Sequence, residues 1–120
     1  MEAIRVNLGG RERRLAIDLN SMIAIMELTG GDPITITRSL TDQSLPVVER
    51  LKQMRLLLYA GLVSTDAEVG ALSAAEGLRL VGSWIDGTDT LIAMATPLLA
   101  AVVAYSEKSK VSSTEFEGQL

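Results

Sequence analysis

Apolar and polar residues alternate at the start of the chain, over Ile4–Leu8 and again over Leu15–Leu19. A period of two predicts two β-strands, each with one buried face. Gly9 and Gly10 lie between the strands and indicate a hairpin. A four-residue loop over 9–12 would set apolar residues opposite one another, whereas a two-residue turn would set some of them opposite arginines. Because register follows the buried face, the sequence favours the four-residue loop.

A compact apolar helix follows the second strand and is predicted over residues 21–28. Asn20 is its expected N-cap, because an Asn side chain can accept a hydrogen bond from the N–H groups of the first turn. Gly30 can adopt the left-handed conformation that ends a helix. Segment 34–43 fits either a strand or a helical turn, and the β-branched residues at 34–37 favour a strand or loop.

The clearest amphipathic helix is predicted over residues 46–60. Its apolar residues recur at spacings of four, three and four between Val47 and Leu58, which places them on one face. Pro46 fits the first turn of this helix, where a missing N–H has no consequence, and the residue at 44 or 45 would act as the cap.

Two capping boxes, in which a hydroxyl and a carboxylate three residues apart satisfy free N–H groups, indicate further helix starts. They are Thr65 with Glu68 and Ser73 with Glu76. They predict a short helix near 66–71 and a longer one near 74–85. Gly77 and Gly82 lower the helix propensity of the longer segment, and they alternatively allow another helix to approach closely.

The last helix is predicted over residues 89–106, after a turn at 86–88, with a kink at Pro97. Residues 107–120 are polar and are predicted to form a disordered tail. The predicted fold class is therefore α+β, mostly α, with an N-terminal β-hairpin followed by a bundle of four to five helices. Residues 1–106 are expected to form a single domain.

The most apolar stretch of the chain, Leu91–Tyr105, lies within this last helix. Fifteen residues span about 22 Å as a helix, whereas a bilayer core needs about 30 Å, so we expect no membrane span. A helix that is apolar nearly all round is buried, either in its own core or against a partner. We also expect the chain to self-associate through this helix. The residues assigned to the predicted partner interface are Met94, Leu98, Leu99, Val102 and Val103.

Composition excludes much of ordinary catalysis, because the chain of 120 residues contains neither Cys nor His. Thiolate nucleophiles, imidazole bases, disulfides and the usual zinc ligands are therefore absent. No serine is accompanied by a general base, so we expect no enzyme activity, no cofactor and no metal.

Charge is distributed unevenly along the chain, whose net charge is −4. Residues 1–60 hold eight basic and seven acidic residues, for a net charge of +1. Residues 61–120 hold three basic and eight acidic residues, for a net charge of −5. This balance argues against a nucleic-acid partner, which usually meets a basic face.

The hairpin tip carries the two features that most resemble a binding motif. Gly9-Gly10 could suggest a phosphate loop, but strands on both sides and the missing GK[ST] favour a plain turn. Arg11, Arg13 and Arg14 form the only basic cluster. They could bind phosphate or an acidic partner, but the favoured interpretation is a solvated tip whose charges discourage edge pairing.

Three short motifs together resemble the tail assembly chaperones of long-tailed phages, especially the form found in gene transfer agents and related prophages. They are Leu8–Gly10 in the hairpin turn, Glu27–Gly30 at the end of the first helix, and Ala60–Leu62 at the end of the amphipathic helix. The resemblance covers residues 2–85.

The resemblance implies a protein without enzymatic activity that binds the tape measure protein, a long and largely helical chain. Such chaperones keep this client soluble in the cytoplasm of the bacterial host while the tail tube polymerises, and recruitment of the tube protein is a second implied role. The chaperone is not expected in the mature virion. The alternatives are a structural tail or head–tail joining protein, or a small helical regulatory module that binds another protein.

A chaperone of this kind needs an adaptable apolar surface, for which methionine is well suited. The first helix is predicted to place Met22, Ile25 and Met26 on one apolar face. Together with Met54 and Met94, these methionines and the alanine-rich last helix are the predicted source of such a surface. Docking of a client helix into an apolar groove is the expected mode of binding.

Overall fold

An antiparallel hairpin opens the chain in the computed structural model, which describes the backbone of residues 4–118 and the side chains of residues 4–108. Strand β1 spans Ile4–Leu8 and β2 spans Arg11–Leu15. Gly9 and Gly10 form a two-residue turn with φ values of 63° and 82°. The predicted four-residue loop is therefore wrong, and so is the predicted second strand over Leu15–Leu19, since β2 ends at Leu15.

The register follows from the turn, because positive φ at both central residues gives the backbone twist that matches two paired strands. Leu8 lies opposite Arg11, Val6 opposite Arg13, and Ile4 opposite Leu15. The pairing of Val6 with an arginine was the reason to disfavour this register. It is tolerated because Arg13 is itself buried and charge-paired on the apolar side of the hairpin.

Helix α1 spans Leu19–Thr29 and is fixed at both ends. Its N-cap is Asp18, not the predicted Asn20. The Asp18 side chain accepts from the Ser21 N–H, and the Ser21 hydroxyl accepts from the Asp18 N–H, which completes a capping box. Gly30 closes the helix with a φ of 69°, as predicted.

The favoured strand or loop at 34–43 is wrong, since the segment forms helix α2, Pro33–Arg38, and a 3₁₀ turn, Ser39–Thr41. Asp32 caps α2 by accepting from the Thr35 N–H, and Pro33 sets the first turn. The hydroxyl of buried Thr37 donates to the Pro33 carbonyl at 2.7 Å. Local capping therefore outweighs the β-propensity of the threonines and isoleucines.

The predicted amphipathic helix is present as α3, Val47–Leu62, with Pro46 as its N-cap rather than in its first turn. Met54, Leu57 and Leu58 are fully buried. Helix α3 lies at the centre of the fold, because it packs against β2 and against each of the other helices.

The next two helices each begin at a residue whose side chain caps the first turn. Helix α4, Ala67–Gly70, is capped by Asp66 and not by the predicted Thr65. The Thr65 hydroxyl instead donates to the backbone carbonyls of Arg14 and Gly61. Helix α5, Ala74–Trp84, begins after Ser73, which accepts from the Glu76 N–H as predicted.

Helix α6 spans Gly87–Gly118, so it begins two residues before the predicted start and continues beyond 106. Pro97 lies inside it. The side chains after Lys108 lie outside the described residues, as do residues 119–120. The disordered tail predicted for 107–120 therefore stays a prediction.

The fold is α+β and mostly helical, as predicted, with one two-stranded hairpin and six α-helices in the described part of the chain. One main core joins the hairpin to α1, α3, α5 and α6. A second, smaller cluster joins Ile17, Met22 and Val102.

Helix α5 approaches α3 closely because its glycines leave room for the side chains of α3. A Cβ atom built on Gly77 would lie 2.5 Å from Cε1 of Tyr59, and one on Gly82 would lie 3.0 Å from Cδ of Arg55. The alternative interpretation of these glycines, close helix approach, is confirmed.

We predict that Gly77→Ala destabilises the protein by about 1–3 kcal/mol, because the buried Tyr59 ring cannot move aside without strain. Gly82→Ala is the matched control in the same helix. It should change the free energy of unfolding by less than about 1 kcal/mol, because a flexible arginine yields and helix propensity improves. Urea unfolding of both variants tests this, and equal effects would contradict the proposed packing.

Candidate partner-binding surface

The predicted interface on α6 lies largely inside the protein. Met94, Leu98 and Val102 are buried in the core, while Leu99 and Val103 are half-buried beside it. The three buried side chains support folding of the single chain and are not available on its surface. Self-association through α6 stays a prediction, but it cannot use these three positions without unfolding.

The open side of α6 carries mostly small side chains, with Ile92 as a large exception at 76% exposed. Within segment Gly87–Lys108, the most apolar window of 18 residues has a mean hydropathy of 1.5, and 28% of that window is buried. By length and composition this helix could cross a membrane. Its buried side belongs to the core described above, and the expectation of no membrane span stays a prediction.

The methionines offer less surface than the sequence predicts. Met22, Met54 and Met94 are buried, whereas Met26 is 45% exposed. The prediction that Met26 shares the inner face of α1 with Met22 and Ile25 is therefore wrong. An angular step of about 100° per residue separates Met26 from Ile25 and turns it outward.

An apolar stripe covers the outer face of α1 and is the best candidate for a partner-binding surface. It consists of Leu19, Ile23 and Met26, which are 60%, 38% and 45% exposed. The buried side of the same helix includes Ser21, Met22 and Ile25. The apolar arc of α1 is thus wider than the part that the core buries, and the stripe is the part left exposed.

The surroundings of this stripe are polar and acidic. Asn20 and Glu27 are exposed on the adjoining side of α1, and the helix contains no basic residue. Glu27 makes no ion pair with any described side chain. The stripe therefore has an acidic border.

The basic cluster of the hairpin is not a solvated tip, because Arg13 is only 5% exposed. Its Nη1 donates to Oδ2 of Asp66 at 2.7 Å, and its Nε donates to the Leu8 carbonyl at 2.7 Å. Its guanidinium carbon lies 3.7 Å from the centroid of the Trp84 ring, as in a cation–π contact. The prediction of a solvated tip is wrong for Arg13.

The neighbouring charges extend this contact toward solvent. Arg11 Nη2 lies 2.6 Å from Glu68 Oε1, and Arg13 Nη1 lies 3.2 Å from the same oxygen. Arg14 is exposed. We name the four paired side chains, Arg11, Arg13, Asp66 and Glu68, the arginine–carboxylate cluster. It joins the hairpin to α4, and its charges pair with one another, so it is a structural feature.

Burial alone would raise the pKa of Asp66. The hydrogen bond from Arg13 and the positive charge of its guanidinium oppose this and lower the pKa. The backbone N–H groups of Val69 and Glu68 also lower it, and the net pKa lies below the usual value. Asp66 is therefore ionised at neutral pH. Among the described residues, no group of three His, Cys, Asp or Glu side chains is placed to hold a metal ion.

The chain was compared with protein-family models, with curated proteins and with solved structures, and no match was found. The features described above therefore rest on the sequence and structure of this chain, without a known relative. The α1 stripe was missed from the sequence because hydrophobic periodicity identifies apolar residues without showing which face meets the core. The available signal was an apolar arc too wide for one short helix to bury.

We predict that Asp66→Asn destabilises the protein by about 2–4 kcal/mol at pH 7, because among the described side chains it leaves the buried Arg13 charge with Glu68 as its only acidic partner. Glu68→Gln is the control, expected to cost less than about 1 kcal/mol because this carboxylate is half-exposed.

A comparison of wild type with Asp66→Asn at two pH values gives a second test. The pKa of Asp66 is lower in the folded state, so its stabilisation is complete above the unfolded pKa of about 3.9 and is lost as pH falls through the folded value. The difference in urea midpoint between wild type and Asp66→Asn should therefore shrink from pH 7 to pH 2.5. A constant difference would contradict the charge pairing.

We predict that Leu98→Glu unfolds the chain, with a loss of more than about 4 kcal/mol, because it places a carboxylate in the core. Ile92→Glu, on the open side of the same helix, should stay folded. Circular dichroism and light scattering distinguish the outcomes. A folded monomeric Leu98→Glu variant of an oligomeric wild type would instead place this residue at an interface.

Proposed function

We propose that this protein is a tail assembly chaperone of a long-tailed phage, prophage or gene transfer agent. In this role it has no enzymatic activity. It binds the tape measure protein in the host cytoplasm, keeps it soluble while the tail tube polymerises, and leaves before the virion is mature. Recruitment of the tube protein is a secondary part of the same proposal.

The observation that carries the proposal is the apolar stripe on α1. Its three large side chains remain exposed although the domain has a complete core that buries other large apolar side chains. Exposed apolar surface of this kind fits a protein that covers the apolar face of another chain. A long helical client with an unpaired apolar face would need such cover until the tube encloses it.

The motifs behind the resemblance support the proposal in a different way. Leu8 is buried, Gly9 lies against the Trp84 ring, and Gly61 lies against the Leu15 side chain. Gly30 ends α1 in the left-handed conformation. These residues set packing and helix ends, so the pattern marks a scaffold that a family of binding proteins can share.

Co-expression with the tape measure protein from the same genome tests the proposal. The client should move from the insoluble to the soluble fraction and co-purify with the chain. Replacing the chain by an unrelated small helical protein is the control. A client that is equally soluble with either protein would contradict chaperone activity.

Analysis of purified particles separates a chaperone from a structural tail part. Mass spectrometry of virions or transfer particles should detect tail proteins and not this chain. Its recovery at a fixed ratio to the tube protein would contradict the proposal and favour a structural tail or head–tail joining protein.

A further inference from the structure

We infer that the client segment recognised by this protein is an amphipathic helix whose apolar seam packs on the α1 stripe and whose flanking residues are basic. The inference rests on the proposed function for the identity of the client. The spacing of the stripe and the charges beside it determine the chemistry of the segment.

The spacing of the stripe is that of a coiled-coil seam. Leu19 and Ile23 are four residues apart, and Ile23 and Met26 are three apart. Alternating steps of four and three are the d-to-a and a-to-d steps of a heptad. A stripe of eight residues extends about 10 Å along α1, so it can engage about two turns of a partner helix.

The charge beside the seam favours a basic partner. With Leu19 and Met26 at d positions and Ile23 at a, Glu27 occupies an e position, where side chains pair across a helical interface and determine partner choice. Asp32, the exposed residue that caps α2, adds a second acidic side chain two residues beyond Gly30. The last turn of α1 contains no basic residue, so its carbonyl groups add negative potential. A lysine or arginine on the partner would complement this end of the stripe.

Two other occupants fit these charges less well. A second copy of α1 would bring no basic side chain to pair with Glu27. An anionic membrane surface would be repelled by Glu27 and Asp32, whereas interfacial helices usually carry basic residues on their polar side. A basic amphipathic helix satisfies both the seam and its border.

Two synthetic three-heptad peptides test the inference directly with the full chain. Both have leucine at a and d, and they carry lysine or glutamate at every e and g position, so each peptide is repelled from itself. Fluorescence anisotropy at low salt should show about threefold tighter binding of the lysine peptide. Added salt should reduce this preference. Equal binding of the two peptides, or no binding of either, would overturn the inference.

Variants of α1 provide matched controls. Ile23 and Leu28 are both 38% exposed, but Leu28 lies about 140° away around the helix and outside the stripe. Ile23→Ser should weaken lysine-peptide binding about tenfold, whereas Leu28→Ser should leave it unchanged. Glu27→Lys should reverse the preference between the peptides. Equal effects of the two serine variants would place the binding surface elsewhere.

The client experiment separates this inference from the proposed function. If wild type and Ile23→Ser both retain the tape measure protein, the chaperone role stands and the α1 surface is wrong. If wild type does not retain it but discriminates the peptides, the chaperone role is wrong and the surface belongs to another basic helical partner. Loss of the client in Ile23→Ser but not in Leu28→Ser supports both.

Discussion

The placement of the hairpin depends on the contact between Arg13 and Asp66. A two-stranded hairpin is marginal in water and must pack on other elements to persist. Here the buried guanidinium binds the Asp66 carboxylate at 2.7 Å and lies over the Trp84 ring, so one side chain connects β2 to α4 and α5. Its Nε–H also binds the Leu8 carbonyl beside the turn. Arg13 therefore holds the hairpin together through the Leu8 carbonyl and connects it to the distant Asp66 carboxylate.

Several elements could be predicted from local chemistry. The period of two over Ile4–Leu8 identified β1, Gly30 gave the end of α1, and Ser73 gave the start of α5, whereas the second alternating stretch, Leu15–Leu19, mostly follows β2. The hairpin register and α2 could not be predicted in the same way. The register requires a buried arginine whose partner lies 53 residues away in sequence, and α2 depends on one capping aspartate acting against β-propensity.

The candidate site was harder to predict than the fold, because a surface is defined by what the core leaves uncovered. Helix α6 has the most apolar sequence, and this made its side chains candidates for an interface. The structure uses Leu98 and Val102 to complete the core. Helix α1 has the periodicity of an ordinary core helix, but its six large apolar side chains are spread too widely around it for all of them to face the core. Leu19, Ile23 and Met26 lie on one side of the inner arc and form the stripe, whereas Leu28 is exposed outside it.

The caps of α1 have a consequence for the dynamics of binding. Asp18 with Ser21 at one end and Gly30 at the other hold the helix in shape before any partner arrives. Such a preorganised face loses little conformational entropy on association. Most of the entropy lost on binding would then come from ordering the partner chain. Because the proposed contact with a client helix is only about two turns long, we expect a single encounter to be short-lived. Durable cover of an extended chain would then come from many copies bound side by side, each exchanging independently.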